Sequence, residues 1–230
     1  MEKRYYPYSK YLRKTFGKKI YKITLDAGFY CPNRDGTISK GGCVFCDEVG
    51  SFSRCSKKTL SVKEQIDLSI EKLSSQFKAE AFIAYFQSYS NTYAPVDVLK
   101  KTYDDVFKNE KIISISIGTR PDCVDKDKLD LIAKYPEPWI EYGLQSAKDE
   151  TLKLINRGHD FNCFKNAVTE SKKRGIKVCA HIILGFPNET KSDMLNTAHE
   201  LSKLNIDGIK IHMLTVLKAS PLLKIYEKEP

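Results

Sequence analysis

The sequence predicts an α/β fold in which six parallel strands alternate with helices. Short apolar segments alternate along the chain with longer segments whose apolar residues recur every three or four positions, and these patterns are typical of buried strands and amphipathic helices. A helix between successive strands provides the crossover that parallel pairing requires. The pattern fits an open doubly wound sheet and a partial barrel equally well. In both architectures, functional groups lie at the carboxyl ends of the strands.

Three strands and two helices are predicted in the first half of the chain. The strands are expected at residues 20–29, 81–86 and 112–117, and the helices begin at Ser61 and near Pro95. Ser61 is followed three residues later by Glu64, which is the spacing of a capping box. Pro95 suits the first turn of a helix, where a backbone N–H would have no partner within the helix.

The second half repeats the alternation three times. Strands are expected at residues 139–144, 178–184 and 209–216, and helices at 128–133, 149–156, 162–174 and 190–205. Asp160 is placed to cap the third of these helices and Gly175 to end it. The chain has no Ser/Gly-rich linker, low-complexity tract or internal repeat. We therefore expect one core domain at residues 20–230, preceded by a basic, aromatic N-terminal arm at 1–19.

Composition excludes several classes of protein. Hydrophobic residues make up 41% of the chain, which is enough for a sizeable core and excludes a disordered or collagen-like chain. The longest apolar runs, such as 81–86, fall far short of the ~18 residues of a membrane span, and the start of the chain lacks the apolar stretch of a secretory leader. We therefore expect a cytoplasmic protein with no membrane partner. The net charge of +9 suits a polyanionic partner as well as plain solubility.

Positive charge is concentrated in the first 22 residues, which contain eight Lys or Arg residues and a single acidic residue, Glu2. Aromatic residues are interleaved with these charges, at Tyr5, Tyr6, Tyr8, Tyr11, Phe16 and Tyr21. This composition suits contacts with RNA phosphates and stacking on RNA bases. It is also compatible with an arm whose tyrosines pack on the core domain.

The chain contains seven cysteines, an odd number that excludes a complete internal disulfide framework. Cys31, Cys43 and Cys46 follow the first predicted strand with the spacing C-x11-C-x2-C, and the adjacent glycines at 41 and 42 let backbone approach a bound group closely. A structural zinc site prefers four ligands and would be completed by Cys55. An iron–sulfur cluster held by three cysteines instead leaves one iron open to another ligand. The remaining cysteines are expected to be packing residues, at Cys123, Cys163 and Cys179.

The cysteine loop reads Tyr30-Cys31-Pro32-Asn33-Arg34-Asp35-Gly36-Thr37 at its start and Gly42-Cys43-Val44-Phe45-Cys46 at its end. It resembles the cluster loop of the radical S-adenosylmethionine (radical SAM) superfamily. Within that superfamily it is most similar to a bacterial subgroup related to the catalytic subunit of Elongator and to oxygen-independent coproporphyrinogen dehydrogenase. The commonest spacing in the superfamily is C-x3-C-x2-C, so the long first gap is a departure that marks this branch.

Other segments at the predicted strand ends resemble motifs of the same family. They are residues 116–122, 141–146 with 156–159, 181–187, and 210–214 with 218–222. The resemblance implies a partial (β/α)6 radical SAM barrel, with parallel strands inside and helices outside. Related proteins usually continue well past the sixth strand, whereas this chain stops at Pro230. One expectation is therefore a core domain truncated at its C-terminal end.

The resemblance also implies two cofactors: a 4Fe-4S cluster bound by Cys31, Cys43 and Cys46, and S-adenosyl-L-methionine (SAM) bound on the open iron. The residues implied to contact these cofactors are Phe45, Gln87, Gln145, Arg157, His181 and Gly185. Gln145 and Arg157 stand where the coproporphyrinogen branch contacts SAM, and arginine suits the SAM carboxylate. All of these residues except Gln145 also have an ordinary explanation in core packing, a helix end, a loop cap or a turn of the chain.

A radical SAM enzyme cleaves SAM reductively to a 5′-deoxyadenosyl radical, which abstracts hydrogen from the substrate while the protein positions the cofactors. The relation to Elongator implies a tRNA substrate, modified on the side chain at C5 of the wobble uridine, and a reductant such as flavodoxin or ferredoxin. Two alternatives stay open. One is oxidation of a tetrapyrrole or small metabolite, and the other is a zinc-stabilised RNA-binding module without enzymatic activity.

Overall fold

The structure, a computed structural model, describes residues 4–46 and 60–227. Its centre is one sheet of six strands that pair in chain order, each parallel to the next. The strands are β1 (Ile20–Leu25), β2 (Ala81–Phe86), β3 (Ile112–Thr119), β4 (Trp139–Gln145), β5 (Lys177–Leu184) and β6 (Gly208–Met213). All six predicted strands are present, and the largest difference is that β1 ends at Leu25 rather than at residue 29.

Side-chain contacts across the sheet show that it is curled into a partial barrel. In a flat sheet β1 and β4 would lie three strand spacings apart, about 14 Å, which is beyond the combined reach of a lysine and a glutamate side chain. Lys22 of β1 nevertheless forms an ion pair with Glu141 of β4. The ammonium group of Lys210 in β6 similarly lies 5.3 Å from the centre of the Tyr85 ring in β2. These contacts confirm the partial (β/α)6 barrel and exclude the open doubly wound sheet.

The helices of the described segments are α1 (Tyr8–Phe16), α2 (Val62–Phe77), α3 (Val96–Val106), α4 (Lys126–Ile132), α5 (Asp149–Leu154), α6 (Phe161–Lys173), α7 (Lys191–Ser202) and α8 (Leu222–Tyr226), with a 3-10 turn at Pro121–Cys123. The capping predictions are confirmed. Ser61 and Glu64 form a reciprocal capping box at α2, and Asp160 Oδ1 accepts a hydrogen bond from the Cys163 N–H at 2.7 Å at the start of α6. None of the helices in these segments is long and apolar enough to cross a membrane.

The main hydrophobic core lies between the sheet and the helices that cover its outer face. It includes Ile23, Phe82, Ile117, Tyr142 and Phe164, all of them almost fully buried. Side chains alternate along a strand, so the strand residues next to Ile23, Phe82, Ile117 and Tyr142 point into the barrel. All six residues of β2 are buried, as expected of a parallel strand that is covered on both faces. The inward-pointing side chains therefore determine what the barrel can hold.

Helix α1 closes the end of the barrel at which the strands begin. Leu12 is buried there against the first residues of β1 and β2, and the rings of Tyr8 and Tyr11 meet Trp139 edge-on at centroid distances of 6.0 and 5.7 Å. Sequence analysis did not predict this helix. The N-terminal arm was expected either to contact RNA or to pack its tyrosines on the core domain. Tyr8 and Tyr11 pack on the core domain.

Candidate functional site

A cavity of about 620 Å³ opens at the carboxyl ends of the strands, where functional groups are expected in a parallel barrel. Eight of the nine residues singled out from the sequence line it: Cys31, Cys43, Cys46, Phe45, Gln87, Gln145, Arg157 and His181. The ninth, Gly185, follows β5 with a φ of +97° and is not part of the cavity wall. The fold thus brings together residues that are up to 150 positions apart in the chain.

Hydrogen bonds fold the cysteine loop back on itself. Asn33 is fully buried at its centre, where the Asn33 carbonyl accepts a hydrogen bond from the Gly42 N–H at 2.8 Å and the Asn33 side-chain amide lies 3.5 Å from Cys43 Sγ. Gly41 and Gly42 have φ values of +84° and +81°, a left-handed conformation that favours glycine. The two glycines therefore turn the chain so that its last two thiols reach the same cavity as the first.

The thiols lie in a positively charged environment. Arg157 Nη1 donates to Cys43 Sγ at 3.3 Å. The hydrogen bond with Cys46, followed by the charges of Arg157 and Arg120, holds the pKa of the Cys43 thiol well below its usual range, against the opposing effect of burial. Because the thiolate is the form of cysteine that binds metals, this environment favours a metal centre.

The three thiols do not form a preformed site for a single ion. Sulfur atoms bound tetrahedrally to one zinc ion at about 2.3 Å would lie about 3.8 Å apart, whereas the sulfur atoms of Cys31, Cys43 and Cys46 do not all lie within 4.8 Å of one another. Within the described segments, two buried nitrogen atoms beside the thiols, Arg120 Nη1 and Arg157 Nε, also have no hydrogen-bond partner. The sulfur atoms of a cluster are acceptors for such donors. Cys55, the candidate fourth zinc ligand, lies outside the described residues.

Strand β4 ends in a bulge that places two polar side chains beside the thiols. The register with β5 shifts between Gly143 and Gln145, and Gln145 has a φ of +80°, which is strained for a residue other than glycine. A methyl group on Gly143 would lie 2.7 Å from both Arg157 Nη2 and Gln145 Nε2. Glycine at this position therefore lets Gln145 and Arg157 lie against the strand, and Arg157 Nη2 donates to the Gly143 carbonyl.

The other residues singled out from the sequence are spread over the cavity wall. Phe45 packs against Phe186 with ring centres 6.1 Å apart, beside the cysteines. Gln87 follows β2 directly, and its backbone N–H donates to the Leu25 carbonyl at 3.3 Å. His181 lies deeper in the barrel, on β5. Their roles as cofactor contacts stay predictions.

Sequence analysis missed a polar cluster at the floor of the cavity, which we call the barrel floor and which consists of Lys22, Tyr85, Glu141, His181 and Lys210. Glu141 is 2% exposed and accepts hydrogen bonds from Lys22, from His181 Nε2 at 2.7 Å and from a serine of β3. Burial would raise the pKa of Glu141, but the hydrogen bond from His181 and the charge of Lys22 hold it below its usual range. The sequence offered one signal for this cluster, which was the single carboxylate of Glu141 within the otherwise apolar strand predicted at 139–144.

The barrel floor does not suit a metal ion. The donor atoms of Glu141, Cys179 and His181 lie within 4.8 Å of one another, close enough to share a cation. However, two lysines stand beside them, and burial followed by the charge of Glu141 raises the pKa of the Cys179 thiol to about 12. Burial also lowers the pKa of His181, so its imidazole is neutral at pH 7 and donates from Nε2 to Glu141. These groups satisfy the carboxylate without a metal.

Comparison with known proteins agrees with the geometry of the site. The family model of the radical SAM superfamily matches residues 30–201. YtqA of Bacillus subtilis is 44% identical over 230 residues, which cover 99% of this chain and 71% of that protein. Elongator complex protein 3 of Saccharomyces cerevisiae is 29% identical over 120 residues, which cover 51% of this chain and 22% of that protein.

Solved structures of low sequence identity share the fold. The structure of archaeal Elp3 from Methanocaldococcus infernus has a TM-score of 0.67 at 17% identity, with 92% of this chain and 49% of that chain covered. Coproporphyrinogen III oxidase (HemN) from Escherichia coli has a TM-score of 0.57 at 14% identity, with 92% and 48% covered. The chain thus spans about half the length of these two structures. The predicted relation to Elongator and the coproporphyrinogen enzymes is confirmed, and this chain belongs to the radical SAM superfamily.

Proposed function

We propose that the protein binds the two cofactors of its family in the described cavity, a 4Fe-4S cluster through Cys31, Cys43 and Cys46 and SAM beside it. The observation that carries this proposal is the set of three thiols that line one cavity, with Gln145 and Arg157 next to them. When bound, the two cofactors supply a 5′-deoxyadenosyl radical that abstracts hydrogen from a substrate. The residues of the chain hold both cofactors in one cavity and limit the access of water.

Arg157 and Gln145 are our candidates for contacts with the amino-acid part of SAM. The planar guanidinium of Arg157 suits a carboxylate, and its buried Nε has no partner among the described residues. Gln87 lines the same cavity and is the candidate for the amino group. We assign Phe45 to shielding the cluster. His181 and Gly185 are assigned to the border of the adenosyl group on the family resemblance alone.

The proposed substrate is tRNA, modified on the C5 side chain of the wobble uridine. Besides the relation to Elongator complex protein 3, a basic groove on the N-terminal segment supports this proposal. The groove is lined by Arg4, Tyr5, Tyr6, Pro7, Ser9, Lys10 and Arg13. Its two tyrosines, Tyr5 and Tyr6, are 68% and 53% exposed, and exposed aromatic residues among positive charges suit RNA bases and phosphates.

The basic groove and the cavity lie at opposite ends of the barrel. Helix α1 packs on the first residues of the strands, whereas the thiols lie beyond the last residues. Strands of six to eight residues separate the two ends by about 20 Å or more. We therefore expect the groove to contact tRNA at a distance from the nucleotide in the cavity, a spacing that a folded tRNA can bridge.

Anaerobic reconstitution with iron and sulfide tests this proposal. The reduced protein is incubated with SAM and with bulk tRNA that lacks the modification, and the nucleosides are analysed by mass spectrometry. We expect a 4Fe-4S cluster, formation of 5′-deoxyadenosine and a changed uridine nucleoside. Alanine at Cys31, Cys43 or Cys46 should abolish cluster and cleavage, whereas Cys163→Ala, which lies outside the cavity, should retain both. Full cleavage by the Cys43→Ala protein would overturn the cluster assignment.

The same experiment separates the alternative functions. Cleavage of SAM with unchanged tRNA nucleosides would favour the small-metabolite alternative, because a cavity of about 620 Å³ also has room for a small substrate. One zinc ion per chain and no cleavage would favour the zinc-stabilised RNA-binding module.

A further inference from the structure

Arg120 is a buried charge next to the cysteine loop to which neither a cofactor contact nor a substrate contact has been assigned. Arg120 is 2% exposed. Arg120 Nε and Nη2 donate to the two carboxylate oxygens of Asp122 at 2.8 and 2.6 Å, while Nη1 is buried without a hydrogen-bond partner among the residues that the structure describes. Buried donors are nearly always paired in native proteins, so we infer an acceptor for this nitrogen that the described residues do not provide.

The Arg120–Asp122 pair has its positive charge on the side of the thiols and its negative charge on the side of the outer surface. Arg120 lines the cavity together with Cys31 and Cys43, and its charge contributes to the lowered pKa of the Cys43 thiol. Asp122 instead lines a separate groove on the outer surface. The pair is therefore a dipole directed toward the site of the cluster.

The position of the Arg120 guanidinium is fixed by the segment that follows α5. A methyl group on Gly158 would lie 3.3 Å from Arg120 Nη2 and 2.9 Å from Asn33 Oδ1. The guanidinium and the buried amide of the cysteine loop thus pack against the same glycine. A charge held rigidly in a water-poor environment acts on its neighbours more strongly than a mobile charge at the surface.

We propose that Arg120 sets the reduction potential of the 4Fe-4S cluster, by donating a hydrogen bond from Nη1 to a sulfur atom and by holding a fixed positive charge beside the cluster. Reduction transfers one electron from the donor protein and no proton, so the cluster becomes more negative by one charge. A neighbouring positive charge stabilises that reduced form and raises the potential. Arg120 stays protonated in both states and takes no part in bond changes.

Redox titration of the anaerobically reconstituted protein, followed by the EPR signal of the reduced cluster, tests this inference. Asp122→Asn removes the counter-charge and should raise the potential, whereas Arg120→Gln should lower it. We expect each change to shift the ratio of reduced to oxidised cluster at a fixed potential by about tenfold, which is about 59 mV for one electron. Arg120→Lys keeps the charge without the planar fork and should fall between Arg120→Gln and the parent.

Asp125→Asn is the matched control, because Asp125 lines the same outer groove and carries the same charge but pairs with Lys128 instead of Arg120. It should leave the potential unchanged. The affinity of the Asp122→Asn protein for SAM should equal that of the parent, which separates Arg120 from the proposed role of Arg157.

An unchanged or lower potential in Asp122→Asn, or an equal rise in Asp125→Asn, would overturn the proposal. Asp122→Asn keeps Arg120 in place, so this outcome can be read even where Arg120→Gln does not fold. The titration uses no tRNA. The inference rests on the proposed cluster, and the iron content of the reconstituted protein shows whether that cluster has formed. The result of the titration is independent of the proposed substrate.

Discussion

Gly143 is the residue whose missing side chain arranges the proposed SAM contacts. Because a methyl group there would lie 2.7 Å from both Arg157 Nη2 and Gln145 Nε2, Gly143→Ala should displace the two side chains. We expect the affinity for SAM to fall by about tenfold, roughly 1.4 kcal/mol, while the iron content stays that of the parent. Isothermal titration of the reconstituted protein with SAM measures the change.

Gly208 provides the control for this substitution. It lies at the start of β6, and a methyl group on it would have its nearest neighbour at 3.5 Å, an ordinary contact distance. Gly208→Ala should therefore bind SAM as the parent does. Parent-like affinity in the Gly143→Ala protein would show that Gln145 and Arg157 do not contact SAM.

His159 should make the folded protein less stable in acid. Burial, followed by the charge of Arg157, lowers the pKa of His159 from 6.5 to about 3, so protonation favours the unfolded chain. With respect to His159, the folded protein has its full stability above pH 6.5. As the pH falls from 6.5 toward the pKa of the folded state, the free energy of unfolding decreases by about 1.4 kcal/mol per pH unit. His159→Phe should therefore reduce the pH dependence of the unfolding free energy by roughly one proton.

Urea denaturation of the cluster-free protein between about pH 7.5 and pH 5 measures this slope. His199→Gln changes an exposed histidine of α7 and should leave the slope at the parent value. The prediction fails if His159→Phe and the parent lose stability equally over this range.

At the scale of elements, helix ends were predicted where the sequence carries a local cap. Helix α2 begins at the capping box of Ser61, and α6 begins at Asp160 and is followed by Gly175 with a φ of +73°. Helix α1 was missed because Leu12 packs against strands that follow later in the chain. A local cap can be read from the sequence, whereas a docking partner depends on the finished fold.

The docking of α1 should contribute measurably to stability. Leu12 is 6% exposed, so Leu12→Ala leaves a cavity at the end of the barrel and should lower the free energy of unfolding by about 2–3 kcal/mol. Urea denaturation of the cluster-free protein tests this value. Leu195→Ala in α7, where the side chain is 60% exposed, should stay within about 0.5 kcal/mol of the parent. Equal effects of the two substitutions would contradict the docked position of α1.

At the scale of the whole molecule, the sequence was sufficient for the six strands and the cysteine loop but not for the barrel floor. The loop is readable because its cysteines and glycines lie within 16 consecutive positions. Lys22 and Glu141 are 119 positions apart and meet only because the sheet curls. In the alternating pattern of β1, Lys22 was indistinguishable from a solvent-facing residue, since alternation does not reveal which face of a sheet closes on itself. Arg120 likewise belongs to the segment 116–122 that resembles a family motif, but its burial depends on tertiary packing and could not be predicted from that segment.

The positive charge of the N-terminal segment should control how strongly the protein binds tRNA. Five exposed basic residues of the N-terminal segment are to be replaced by glutamine: Lys10, Arg13, Lys14, Lys18 and Lys19. Each phosphate contact releases counterions, so the slope of log affinity against log salt should flatten by about 0.7 to 0.9 for each contact removed. Binding should also weaken, while SAM cleavage without tRNA stays at the parent rate because these residues lie at the far end of the barrel from the thiols.

A variant with the same change in net charge provides the control for this experiment. It replaces five exposed lysines of the covering helices α2 to α5 by glutamine: Lys63, Lys72, Lys101, Lys126 and Lys153. If the basic groove is the tRNA interface, only the N-terminal variant flattens the slope, because counterion release depends on which charges touch phosphate and not on net charge alone. Fluorescence anisotropy with labelled tRNA over a range of salt concentrations compares the three proteins. The same slope in both variants would assign the N-terminal charges to general electrostatics and would remove the main structural support for a tRNA substrate.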